Sequence, residues 1–237
     1  MLFRQLFDRE TSTYTYLLAD EASGAALLID PVLDQVDRDL GLLEDLGLSL
    51  TYILETHVHA DHVTGAAILR DRTGARTVVS ATAGADCADV AVRDGDVIRL
   101  GASGIEVRQT PGHTAGCVTY VTQDQKFAFT GDALMIRGCG RTDFQEGDAH
   151  TLYASVHEKI FTLPDACAVY PGHDYKGRTQ STVGEEKRLN PRLGGDKTVE
   201  EFAVIMDGLG LAPPKHLAVS LPANRNCGRI LPESTAP

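Results

Sequence analysis

The chain has 237 residues, 43% of them hydrophobic, and a formal net charge of -11; that is enough to bury one large core, and the wrong sign for a surface that neutralises phosphates. No local run of Lys and Arg supplies a basic face, no apolar stretch nears the roughly 20 residues of a membrane span, and residues 1–10 lack the apolar middle of a secretory signal. A soluble, cytoplasmic protein that acts on small molecules is expected, with neither nucleic acid nor membrane among its partners.

Thr13 to Leu18 and the apolar run Ala25 to Ile29 read as a hairpin entering a buried sheet. From Asp34 to Leu46, Val36, Leu40, Leu43 and Leu46 keep helical spacing and Gly47 stands at the C-cap. Tyr52 to Thr56 forms a strand, Val63 to Arg72 a helix closed by Gly74, and Thr77 to Ser80 a short strand. Val97 to Leu100, Ile105 to Gln109, Val118 to Thr122 and Phe127 to Thr130, divided by turn residues, form an antiparallel meander. Ala149 to Leu163 places Leu152, Val156 and Ile160 on one stripe, with Asp148 as its cap. Cys167 to Gly172 is again strand-like, Thr198 to Leu209 helix-like, and Pro213-Pro214 breaks the chain before a loop-rich tail. Two facing sheets with helices outside, a four-layer αββα sandwich of the α/β class, account for this order. We expect a single domain over 1–237, with 177–237 an extension wrapping the core.

Five cysteines, odd in number and without a C-x-x-C pair, make a disulfide framework improbable. Cys117 and Cys167 lie in strand-like runs and read as buried, whereas Cys139 and Cys227 stand beside glycines in loops, as thiols near a site.

Four strands stop at metal-ligand side chains. His57, His59, Asp61 and His62 crowd into six residues after one strand; His113 follows Pro111-Gly112, Asp132 follows Thr130-Gly131, and His173 follows Pro171-Gly172. Strand ends hold side chains rigidly outside a sheet, and imidazole with carboxylate suits first-row metals, so the four ends should meet at one metal centre.

HVHADH at 57–62, PGHT at 111–114, TGDAL at 130–134 and PGHD at 171–174 together resemble the metallo-β-lactamase superfamily, whose fold is the αββα sandwich. GDALMIRGCGRTDFQ, LYASVHEKIFTLP, YPGHDYKG and Asn190 to Leu193 narrow the resemblance to the persulfide dioxygenases. The resemblance implies oxidation of glutathione persulfide with O2 and water to sulfite and glutathione at one non-haem Fe(II) per subunit. It implies His57, His113 and Asp132 as the catalytic iron triad, with His59, Asp61, His62 and His173 orienting it. Two His and one carboxylate leave positions open, and zinc, lacking redox change, could not serve O2 chemistry. Glyoxalase II-type thioester hydrolases use all seven donors for two metals, so the metal count stays open, with acylglutathione hydrolysis the alternative. Arg141 is the first choice for a glutathione carboxylate, followed by Tyr175, Lys176, Asn224 and Arg225. The oligomeric state is left open, with a homodimer admitted.

Overall fold

Leu17 and Leu18, like Leu27 and Leu28, are adjacent apolar residues that a strand sends to opposite faces. In the computed structural model, which describes residues 1–213 and 216–230, both faces are buried. Leu18 and Leu27 face the middle of the molecule and Leu17 and Leu28 an outer helical layer. A sheet apolar on both faces needs a cover on each.

The first sheet runs in sequence order through β1 (Leu2–Asp8), β2 (Thr13–Ala19), β3 (Ala25–Ile29), β4 (Ser49–Leu54), β5 (Arg76–Ser80) and β6 (Val90–Val92). β1 to β3 pair antiparallel, and β3 to β6 parallel. α1 (Val36–Asp45) and α2 (Ala66–Thr73) cover its outer face through Val36, Leu43 and Leu69, and Gly74 closes α2 in the left-handed conformation at φ +75°.

The second sheet contains β7 (Val97–Leu100), β8 (Ser103–Gln109), β9 (Val118–Thr122), β10 (Phe127–Gly131), β11 (Ala168–Pro171) and the two-residue β12 (Ser181–Thr182), again in spatial sequence. β7 to β10 form the expected meander, and β11 joins β10 in parallel. Outside it lie α3 (Ala149–Ser155), α4 (Val183–Leu189) and α5 (Val199–Asp207), which bury Leu152, Val183 and Phe202 with Val121 and Ala128. Between the sheets, Phe3, Tyr16, Phe129 and Tyr170 meet at ring-centroid separations of 4.8 to 6.2 Å. This is the αββα sandwich.

Several elements depart from expectation. The stripe of Leu152, Val156 and Ile160 is continuous, but α3 passes into a π-helical turn over Val156–Ile160. β1, β6 and α4 had no clear period: Phe3 is half-buried against the aromatic cluster, and α4 is a mostly charged segment capped at its start by Thr182, whose hydroxyl accepts from Glu185 N–H. The tail expected to be loop-rich forms α6 (Leu217–Arg225), with Pro222 inside it. Pro214 of the expected break and residues 231–237 lie outside the described residues.

A disulfide joins Cys87 to Cys227 across 140 residues, contrary to the expectation that no bridge forms. Such separation leaves no local spacing to read. Cys227 is therefore no free thiol, whereas Cys117, Cys139 and Cys167 are free and buried. Among the described residues no helix is long and apolar enough to cross a membrane.

Candidate metal centre

β8, β10 and β11 end on one edge of the second sheet and β4 ends opposite them. The two sheets are stitched there by backbone: Tyr14 N–H donates to the Gly172 carbonyl (2.8 Å) and Val118 N–H to that of Thr56 (2.8 Å). Two glycines make room for the ligands. A Cβ on Gly140 would lie 2.7 Å from His113 Nδ1, and one on Gly172 would lie 2.8 Å from Asp132 Oδ1. The glycines in G-C-G-R and P-G-H-D thus leave the space that the His113 and Asp132 side chains occupy.

One ligand atom from each of His57, His113 and Asp132 falls within 4.8 Å of the others. Hydrogen bonds select which atoms. Asp30 accepts from Thr56 N–H (2.7 Å) and from the Thr56 hydroxyl (2.8 Å), so the hydroxyl oxygen is left to accept from His57 Nδ1 (3.0 Å). His113 Nδ1 donates to the Arg141 carbonyl (2.7 Å). Both rings are thereby held as Nδ1–H tautomers with Nε2 free to ligate. Asp132 Oδ1 accepts from His173 Nδ1 (2.7 Å), which leaves Oδ2 facing His113 Nε2 at 3.7 Å. Burial would raise the Asp132 carboxyl, but His173, His113 and His57 hold it below the usual range. Burial, with His59 and His113 nearby, pushes His57 down and keeps it neutral. Two imidazoles with Nε2 free and a carboxylate fit a divalent metal.

The other four donors are mostly engaged with one another. His173 Nε2 pairs with Asp61 Oδ2 (2.9 Å) and His62 Nδ1 with the same oxygen (3.0 Å). Burial opposes the charged form of His173, but Asp132 and Asp61 overcome it and raise its pKa well above the usual. His59 Nε2 stands 3.2 Å from Asp30 and 3.4 Å from Glu55, carboxylates that push it up to about 10 against burial. His59 Nδ1 and His62 Nε2 are buried without a hydrogen-bond partner among the described residues. Asp30, Glu55 and Thr56 were not singled out in the sequence. The signal was available in Asp30-Pro31 and in E-T-H, where polar residues end apolar strands.

A cleft of about 750 Å³ opens over the triad, walled by Arg137, Arg141, Tyr175, Lys176 and Arg192 among others. Arg141 reaches it, but its guanidinium is committed: Nε and Nη2 pair with Asp143 (2.6 and 2.8 Å), Nη1 donates to the Ala212 carbonyl (2.6 Å), and Phe144 lies beneath at 4.3 Å. Arg178 is tied to Asp174, and Arg137 to Glu185 and Glu186. Lys176 makes no side-chain hydrogen bond or ion pair among the described residues, and Tyr175, 71% exposed, stacks on His173 at the mouth. Cys139 lines the cleft as expected, its thiol pushed up to about 11 by burial. Arg225, expected in a loop, ends α6 instead and is not among the residues that line the cleft. Asn224 faces the metal-binding loop instead.

Fold and donor arrangement define the class. The chain belongs to the metallo-beta-lactamase superfamily, whose family model matches residues 8–173. It is 54% identical over 235 residues to "Persulfide dioxygenase ETHE1, mitochondrial" of Mus musculus, spanning 99% of this chain and 91% of that protein. The crystal structure of ETHE1 from Myxococcus xanthus is 55% identical, with a TM-score of 0.94 over 97% of this chain and 100% of that one. A hydroxyacylglutathione hydrolase of Methylobacterium sp. (strain 4-46) is 42% identical, spanning 83% of this chain and 87% of its own. Within the superfamily the chain groups with the persulfide dioxygenases, and it is an enzyme.

Proposed function

We propose that the chain is a glutathione persulfide dioxygenase that uses one Fe(II) per subunit and converts glutathione persulfide, O2 and water to sulfite and glutathione. The observation that carries the mononuclear reading is the pairing pattern: His57 Nε2, His113 Nε2 and Asp132 Oδ2 are left free, whereas His173 is bound through Nδ1 to Asp132 Oδ1 and through Nε2 to Asp61, which also holds His62 Nδ1. When bound, iron would supply the redox chemistry between sulfur and O2 that zinc lacks.

The protein's own part is positional. Thr56 and the Arg141 carbonyl fix the two imidazoles. The ammonium of Lys176 and the hydroxyl of Tyr175 stand at the mouth, where a glutathione carboxylate would arrive. Arg141 joins that contact only by giving up part of its bond to Asp143, and otherwise acts as wall and as His113's acceptor. A cytoplasmic setting belongs to the same proposal, since the reduced glutathione pool is kept there.

Anaerobic titration with Fe(II) should saturate at one equivalent. A two-metal thioester hydrolase is the second reading, favoured by the unpartnered nitrogens of His59 and His62, which with Asp61 place ligand atoms within 4.8 Å. Saturation at two equivalents, with hydrolysis of an acylglutathione, would establish that reading instead.

A further inference from the structure

We infer that Asn224 is a positioning residue of the metal centre and that the Cys87–Cys227 bridge fastens it there. The loop carrying His57, His59, Asp61 and His62 has no regular hydrogen-bond ladder of its own. Asn224 substitutes for one. Its amide nitrogen donates to the His59 carbonyl (2.8 Å) and the His62 carbonyl (2.7 Å), and its oxygen accepts from Thr64 N–H (2.9 Å). The side chain is 5% exposed and three hydrogen bonds hold it in one orientation. One residue of α6 thus spans the turn that sets Asp61, and Asp61 in turn holds His173, which holds Asp132.

What fixes α6 lies three residues further on. Cys227 is bonded to Cys87, in the loop before β6, and its carbonyl accepts from Ala67 N–H at the start of α2 (2.9 Å). The next residue, Gly228, passes so close that a Cβ there would meet the Thr64 carbonyl at 2.2 Å. A small enclosed pocket lined by Glu55, His57, Thr64, Asn224 and Cys227 shows that bridge, clamp and metal ligand border one space. Opening the bridge frees the end of α6, and with it the clamp.

This coupling rests in one respect on the proposed reaction, whose product is a thiol. Two glutathione molecules reduce the bridge to two cysteine thiols and leave as glutathione disulfide, so metal retention would follow the oxidation state of that pool.

The test is Fe(II) affinity measured anaerobically by competition with a chromophoric chelator, beside the melting temperature of the metal-free protein. Asn224→Asp keeps the shape and the acceptor but loses both donors, and should raise the Kd roughly ten- to a hundredfold. Cys87→Ser, or wild type reduced until five thiols rather than three titrate in the unfolded chain, should also raise the Kd. The effect of Cys87→Ser should vanish in an Asn224→Asp background. An unchanged Kd in Asn224→Asp would overturn the clamp, as would a weaker Kd matched by an equal loss of stability in the metal-free protein; additive effects would overturn the coupling. Persulfide is absent throughout, so inactivity toward it would refute the proposed reaction and leave the clamp standing.

Discussion

At the scale of single residues, the seven candidate donors divide by what each already touches. His57→Ala, His113→Ala and Asp132→Ala should each abolish iron retention, read by metal analysis after anaerobic reconstitution, because a three-donor site has no spare ligand. His59 is different: it is a buried cation between Asp30 and Glu55. His59→Ala leaves two buried carboxylates facing each other and should cost about 3–5 kcal/mol of stability, while one equivalent of iron still binds. Iron loss in His59→Ala equal to that in His57→Ala would place His59 among the ligands. At the mouth, Lys176→Ala should raise KM for glutathione persulfide roughly tenfold or more without changing iron content, through loss of a charge-assisted contact worth about 1.5–3 kcal/mol. An unchanged KM would remove Lys176 from the substrate site.

At the scale of elements, α1 carries a buried acid that sets a pH dependence of stability. Burial pushes the Asp39 carboxyl from 3.8 up to about 6, against the pull of Arg38, and its Oδ2 has no hydrogen-bond partner among the described residues. The native state then binds the proton more tightly than the unfolded chain. The stabilisation is complete below pH 4 and is lost as pH rises through 6, at most about 3 kcal/mol. Asp39→Asn should flatten the slope of stability between pH 4 and 6, measured by urea unfolding; a slope unchanged from wild type would assign it to another group. α1, α2 and the β7 to β10 meander were readable because one period governs each. β1 and α4 were not, since their stability comes from partners distant in sequence: the aromatic cluster against Phe3, and Arg137, whose N–H donates to Glu186.

For the whole molecule, the candidate donors were legible in the sequence and their supports were not. Each of the seven donors ends a strand or follows a glycine turn, a local pattern. The supports reach across the chain: Asp30 to Thr56 over 26 residues, Asn224 to His59 over 165, Cys87 to Cys227 over 140. Arg141 shows the same limit. Its position beside the site could be read from G-C-G-R, but the Asp143 and Ala212 contacts that commit its guanidinium could be seen only in the folded chain.

The central claim is that three free ligand atoms hold one redox-active iron, and metal exchange tests it most directly. A nitrogen-and-oxygen site favours zinc over iron in affinity, so protein made in iron-poor medium should carry zinc. Zinc-loaded protein, verified free of iron, should consume no O2 with glutathione persulfide. Anaerobic exchange to one Fe(II) per chain should restore O2 uptake with one sulfite formed per O2. O2 uptake by the iron-free zinc protein, or none by the protein holding one iron, would contradict the account.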